Sequence, residues 1–101
     1  MAFFLFKFEW DPTKARTNAL KHGLDFARAA DIFRDPLALT IPDSEHSTTE
    51  DRWITIGKDA RGQSVLLVHT FEQLDEETAR IRIISARRPT RTELRDYDEP
   101  K

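Results

Sequence analysis

Apolar and polar residues alternate at the start of the chain, with Phe4, Phe6, Phe8 and Trp10 on one face of an extended segment and Lys7 and Glu9 on the other. This period predicts a strand laid on a core. At Asp11-Pro12-Thr13-Lys14 the pattern becomes helical: the Asp11 carboxylate can accept from the free N–H groups of a first turn, and Pro12 pre-sets φ at the first position. That helix is predicted to run to Lys21 or His22, where Gly23 can take the left-handed conformation that closes it. Asp25 is a second N-cap, and Phe26, Ala29, Ala30 and Phe33 form one apolar stripe on a short helix that Asp35-Pro36 stops.

From Leu37 the period is extended again, with Leu37, Leu39 and Ile41 alternating until Pro42-Asp43-Ser44, and residues 42–51 read as a polar, acidic loop. Residues 52–56 and 64–69 are two strands, joined by the hairpin-length segment Lys58-Asp59-Ala60-Arg61-Gly62. The second strand is apolar on both faces, which places it centrally in the sheet. An acidic connection over 72–77 leads to a strand over 79–85. A capping box at Thr90 and Glu93 then opens a last helix, packed down by Leu94 and Tyr97, with residues 98–101 expected to fray. The order predicts an α+β layer: a mostly antiparallel sheet with two N-terminal helices and one C-terminal helix.

Composition narrows the chemistry. At 101 residues and 39% apolar, the chain has material for one core and reads as a single domain. The absence of cysteine removes disulfides, thiol nucleophiles, iron–sulfur clusters and cysteine-based zinc sites. The early apolar run is broken by Lys7 and Glu9 before it reaches the length of a signal segment, so a cytoplasmic, soluble protein with no membrane partner is expected.

The net charge of -2 says little, but its distribution says more. Residues 80–95 hold six arginines (Arg80, Arg82, Arg87, Arg88, Arg91 and Arg95) against Glu93 alone, a local net of +5. Arginine's planar fork binds phosphate bidentately and does not lose its proton, so a phosphate-rich partner is one reading of this strip. The other is pairing with the chain's own acidic segments, 43–51 and 72–77. Glu50 and Arg52 are one strand period apart and point the same way, as an acid–base pair beside a phosphate or as an ordinary surface ion pair.

His22 lies at a predicted helix C-terminus, which favours the imidazolium and suits either a capping role or a proton donor. His69 shares a face with Val65 and Leu67 and reads as a core histidine, while His46 reads as solvated. The three are too dispersed for a local metal motif, and neither a metal nor a cofactor is expected. Tyr97 could donate to a phosphate, although its spacing from Leu94 says that its ring packs the last helix. The N-terminal aromatics Phe3, Phe4, Phe6, Phe8 and Trp10 read as core rather than as a base-stacking surface.

Phe8-Glu9-Trp10-Asp11-Pro12 with Lys14 and Asn18, Lys21-His22-Gly23, Phe26, Ala30, Phe33, Asp35-Pro36, Glu50-Asp51-Arg52, Gly57, the run Arg82-Ile83-Ile84-Ser85-Ala86-Arg87, Glu93 and Tyr97 together resemble the BrnT family of toxins from type II toxin–antitoxin pairs. The resemblance covers nearly the whole chain. It implies a compact RelE-like fold, a small ribonuclease that arrests translation, and a BrnA-like antitoxin with a ribbon-helix-helix domain, through which alone the toxin would meet DNA. The family pattern falls on His22, Glu50, Arg52, Arg82, Ser85, Arg87, Glu93 and Tyr97. Arg80, Arg88 and Arg95 are additions of this chain, and its 72–78 link is more acidic than the family's.

RNA carries its own nucleophile, so such a protein needs only a base for the 2′-hydroxyl proton, cations for the phosphorane and an acid for the leaving oxygen. The candidate catalytic set is His22, Glu50, Arg52, Arg82, Arg87 and Tyr97, with Lys21, Arg80, Arg88 and Arg91 as RNA contacts. Arg82 and Arg87 stabilise charge, Glu50 or His22 exchanges the proton, and Arg52 or Tyr97 positions the phosphate. Strict alternation would put Arg82 and Arg87 on opposite faces, so their convergence needs a bend or an early end to the strand.

Overall fold

A computed structural model describes residues 5–45 and 50–98. Phe3, Phe4, His46 and residues 99–101 lie outside this set, and the expectations made for them are not addressed by it. The first strand, β1, spans Leu5–Glu9. Helix α1 spans Pro12–His22, with the Asp11 carboxylate accepting from the N–H groups of Thr13 and Lys14 and Gly23 closing it at φ 68°. Helix α2 is one turn, Phe26–Ala29, capped by Asp25, and the chain then tightens into a 3₁₀ turn over Ala30–Arg34 instead of continuing as an α-helix. Phe26, Ala29 and Ile32 are the residues it buries most deeply, and their spacing of three suits the tighter helix.

The remaining elements are β2 (Leu39–Pro42), β3 (Trp53–Lys58), β4 (Ser64–His69), β5 (Glu72–Gln73), β6 (Thr78–Arg87) and α3 (Arg91–Asp98). The sheet order is β1-β6-β4-β3-β2, with the two-residue β5 also beside β6. β1 runs parallel to β6, whereas the other pairings are antiparallel, so the sheet is mixed. Local alternation cannot disclose this, because β1 meets a partner more than seventy residues downstream.

Each face of the sheet buries its own cluster. On one, Phe26, Ile32 and Leu24 cover Val65, Leu67, Ile81, Ile83 and Ala86, with Phe6, Phe8, Trp10 and Phe33 packed against them. On the other, Tyr97 of α3 packs on Ile56 and Leu66. β4 contributes to both clusters, as its apolar run predicts. His69 is a core histidine at 1% exposure, edge-on to the Phe33 ring. Its Nδ1 faces the Thr70 carbonyl, which can only accept, so Nε2 accepts from the Thr55 hydroxyl and burial keeps the ring neutral. At Gly57 an added Cβ would stand 3.1 Å from the Ile32 Cβ, so this position lets the 3₁₀ turn lie directly on β3.

Candidate nucleic-acid interface

β6 pairs with β4 in two phases: Leu66, Leu67 and Val68 face Arg87, Ala86 and Ser85, but His69 faces Ile83. Ile84 is therefore one residue extra on β6, a bulge that re-phases the strand. Before it Ala79, Ile81 and Ile83 point into the core; after it Ala86 does. Arg80, Arg82, Ser85 and Arg87 consequently share the opposite face, and the bend that the sequence required for Arg82 and Arg87 to converge is this one inserted residue. Cross-strand partners confirm the sidedness, since Arg87 lies opposite Leu66 and Ser85 opposite Val68.

Arg82 is the most firmly held of the row. Its backbone N–H donates to the Thr70 hydroxyl at 3.2 Å and its carbonyl accepts from the Thr70 N–H at 3.0 Å. One guanidinium nitrogen donates to both carboxylate oxygens of Glu50, at 2.5 Å each, and the Arg52 Nε lies 3.8 Å from the same carboxylate. The three side chains stay about one-third exposed, so the cluster is open to a ligand. The Arg82 hydrogen bond holds the Glu50 carboxyl below the ordinary carboxylate range, with Arg52 and Lys14 acting in the same direction against partial burial.

The other two arginines of the row are also paired. Arg80 reaches Glu72 at 2.8 Å and Glu9 at 3.6 Å. Arg87 forms a two-pronged pair with Glu93 at 2.8 and 2.9 Å, which pulls the Glu93 carboxyl down to about 2 and raises the arginine further. Glu93 also closes the predicted capping box with Thr90. Pairing with the acidic segments 43–51 and 72–77, one of the two readings of the strip, is thus realised at Arg82 with Glu50 and at Arg80 with Glu72, whereas Arg87 pairs with Glu93 inside the strip itself. Arg88, Arg91 and Arg95 are exposed and make no ion pair among the described residues.

A groove of about 270 Å³ separates α1 from the bulged end of β6, lined by Lys14, Thr17, Asn18, Lys21, His22 and Ser85 among others. Lys21 and His22 are exposed along it. Lys14 borders the groove and also acts on the Glu50 carboxylate, which makes groove and arginine cluster neighbours. Alternation and capping signals did not reveal the part of Asn18, a buried residue whose amide binds the β6 backbone.

Tyr97, offered beside Arg52 as the residue that positions a phosphate, has its hydroxyl engaged away from the Arg82–Glu50–Arg52 cluster. Its hydroxyl donates to Asp35 at 2.6 Å, and the same Asp35 oxygen accepts from the Lys58 N–H. Lys58 ends β3 while Arg52 precedes its start, a separation of about 20 Å at strand rise. Burial and the Asp35 charge push the phenol up to about 12, as a fixed donor would be.

Among the described residues no three histidine, aspartate or glutamate side chains gather as a metal site, and no helix is long and apolar enough to cross a membrane.

Comparison with known proteins accords with this arrangement. None of the curated proteins matches the chain. Among solved structures it is similar to the crystal structure of the Brucella abortus ribonuclease toxin BrnT, at 28% identity and a TM-score of 0.58, over 86% of this chain and 100% of that one. A family model described as the ribonuclease toxin BrnT of type II toxin–antitoxin systems matches residues 10–93, a span that takes in α1, the Glu50–Arg52 pair, all of β6 and the Arg87–Glu93 clamp. With so much of the chain inside that match, the protein belongs to the BrnT family of ribonuclease toxins.

Proposed function

We propose that this chain is a metal-independent endoribonuclease that arrests translation in the cytoplasm and is neutralised by a BrnA-like ribbon-helix-helix antitoxin, meeting DNA only through that partner. A RelE-like fold belongs to the same reading. The observation that carries it is the Arg82–Glu50–Arg52 cluster, held on a rigid strand, open to solvent and adjoining a groove that bears Lys21 and His22.

A phosphodiester entering the cluster takes the Arg82 guanidinium from Glu50, since two phosphate oxygens can engage both arms of the fork, whereas Glu50 holds it through one nitrogen. The released carboxylate, freed of its strongest partner, accepts the 2′-hydroxyl proton as the 2′-oxygen bonds to phosphorus. Arg82 and Arg52 stabilise the phosphorane. His22 donates a proton to the 5′-oxygen as its bond to phosphorus breaks, leaving a 2′,3′-cyclic phosphate and a 5′-hydroxyl. Lys21, Arg88 and Arg91 hold flanking phosphates, and Arg80 and Arg87 join them once their own carboxylates are displaced.

Replacing Arg82 by Ala is expected to lower the cleavage rate by about 100-fold or more, and His22→Ala by about 10²–10⁴-fold, the range for a lost charge stabiliser and a lost general acid. Folded variants of both that cut RNA at the native rate would contradict these roles. A second reading, favoured by the internal pairing of Arg80, Arg82 and Arg87, is a non-catalytic module that docks nucleic acid or an acidic partner through the arginine strip. It predicts binding that falls steeply with salt and no cleavage products.

A further inference from the structure

β1 leaves β6 after the Glu9–Arg82 pair, so the last residues of β6 have no strand on that side. Left alone, the Ala86 N–H and C=O would be buried without partners, a costly state for backbone polar groups. The Asn18 side chain takes the strand's place. Its Oδ1 accepts from the Ala86 N–H at 3.1 Å, and its Nδ2 donates to the Ala86 carbonyl at 2.9 Å. The same Nδ2 reaches the Leu24 carbonyl at 3.3 Å, just past the glycine that ends α1. Asn18 is itself only 7% exposed, and its buried amide is occupied by these backbone bonds.

The two anchor points matter for the site. Ala86 lies between Ser85 and Arg87 on β6; Leu24 follows Lys21, His22 and Gly23. One amide therefore ties the arginine row to the end of α1 that carries the proton donor, across the groove that both line. We propose that Asn18 is a positioning residue for RNA cleavage, fixing His22 against β6 so that its proton meets the leaving oxygen of a phosphate bound at Arg82. This rests on the role given to His22 above and adds a residue that touches neither substrate nor reacting atoms.

A double-mutant cycle tests it, with folding checked by circular dichroism and RNA affinity measured separately from the single-turnover rate. Asn18→Ala in the native background is expected to lower that rate by about 10–100-fold, the scale of a small misplacement of a catalytic group, with the RNA dissociation constant within about threefold. In the His22→Ala background the same change is expected to cost less than about threefold, because nothing remains to be positioned. Should Asn18→Ala fail to fold, Asn18→Gln keeps the amide on a stem one methylene longer, and the same non-additive loss is expected of it. Losses that multiply independently of His22, or a native rate in the folded variant, overturn the proposal. An active His22→Ala removes the proton-donor role and this inference together, whereas an inactive His22→Ala beside a fully active Asn18→Ala removes this inference alone.

Discussion

Tyr97 shows how a side chain with the right chemistry can be committed elsewhere. A phenol near the end of an arginine-rich strip reads as a phosphate donor, but its partner, Asp35, is 62 residues away in sequence, and no local pattern reveals that pair. The hydroxyl fastens α3 to the turn before β2 and lies at the far end of β3 from Arg52. Tyr97→Phe is therefore expected to leave RNA cleavage within about twofold while lowering stability by about 1–2 kcal/mol, the cost of leaving a carboxylate hydrogen bond unmade. Thermal unfolding together with a cleavage assay checks both halves, and a large loss of rate in a stable variant would return Tyr97 to the site. His69 is the opposite case: its place on the same strand face as Val65 and Leu67 already marks it as core, and its hydrogen bonds close within the protein.

At the scale of elements, the termini of α1 and the capping box of α3 are legible because each is a contract between near neighbours: Asp11 with Thr13 and Lys14, Thr90 with Glu93. The parallel pairing of β1 and the two-residue β5 are not, since both depend on strands brought together by the whole fold. The bulge at Ile84 lies between these cases. The run Arg82-Ile83-Ile84-Ser85 contains two adjacent isoleucines that fit either phase of a strand, and only the partner strand decides which one is extra. The strip was legible as a concentration of charge; its division into a paired row and an exposed set was not.

The Arg87–Glu93 clamp allows a prediction at this scale, because it joins β6 to the first turn of α3. The Glu93 carboxyl, held at about 2 in the folded chain against an ordinary 4.5, contributes stability that is present above pH 4.5 and lost as pH falls toward 2. Glu93→Gln should lower stability at neutral pH by about 1–2 kcal/mol through the weakened cap and lost ion pair, and should flatten the acid limb of the stability profile below pH 4.5. Denaturant titrations at neutral pH and near pH 3 measure the two terms, and an unchanged acid limb would mean that the clamp is broken in solution.

On the scale of the whole molecule, a weakly acidic chain presents a cationic face because its sheet is covered unevenly. One face of the sheet is filled by α2, the 3₁₀ turn and the N-terminal aromatics; on the other, α3 covers Ile56 and Leu66 and leaves the β6 row accessible. Glu72, Glu50 and Glu93 neutralise that row residue by residue, so under the proposed function the phosphates of an RNA backbone displace these carboxylates one arginine at a time. Under the proposed function the two readings of the strip are compatible: pairing within the chain describes the free protein, and phosphate binding is what we propose for the complex. In the proposed mechanism arginines supply the charge and RNA supplies the nucleophile, so that mechanism calls on no metal.

The most direct measurement is incubation of the purified, antitoxin-free chain with RNA in excess EDTA, beside an identically prepared and folded Arg82→Ala variant, with the products resolved on a denaturing gel and their ends identified. Cleavage by the native chain, 2′,3′-cyclic phosphate ends, and little or no cleavage by the variant are expected. Intact RNA in both lanes, or equal cleavage by the two proteins, would contradict the proposed mechanism.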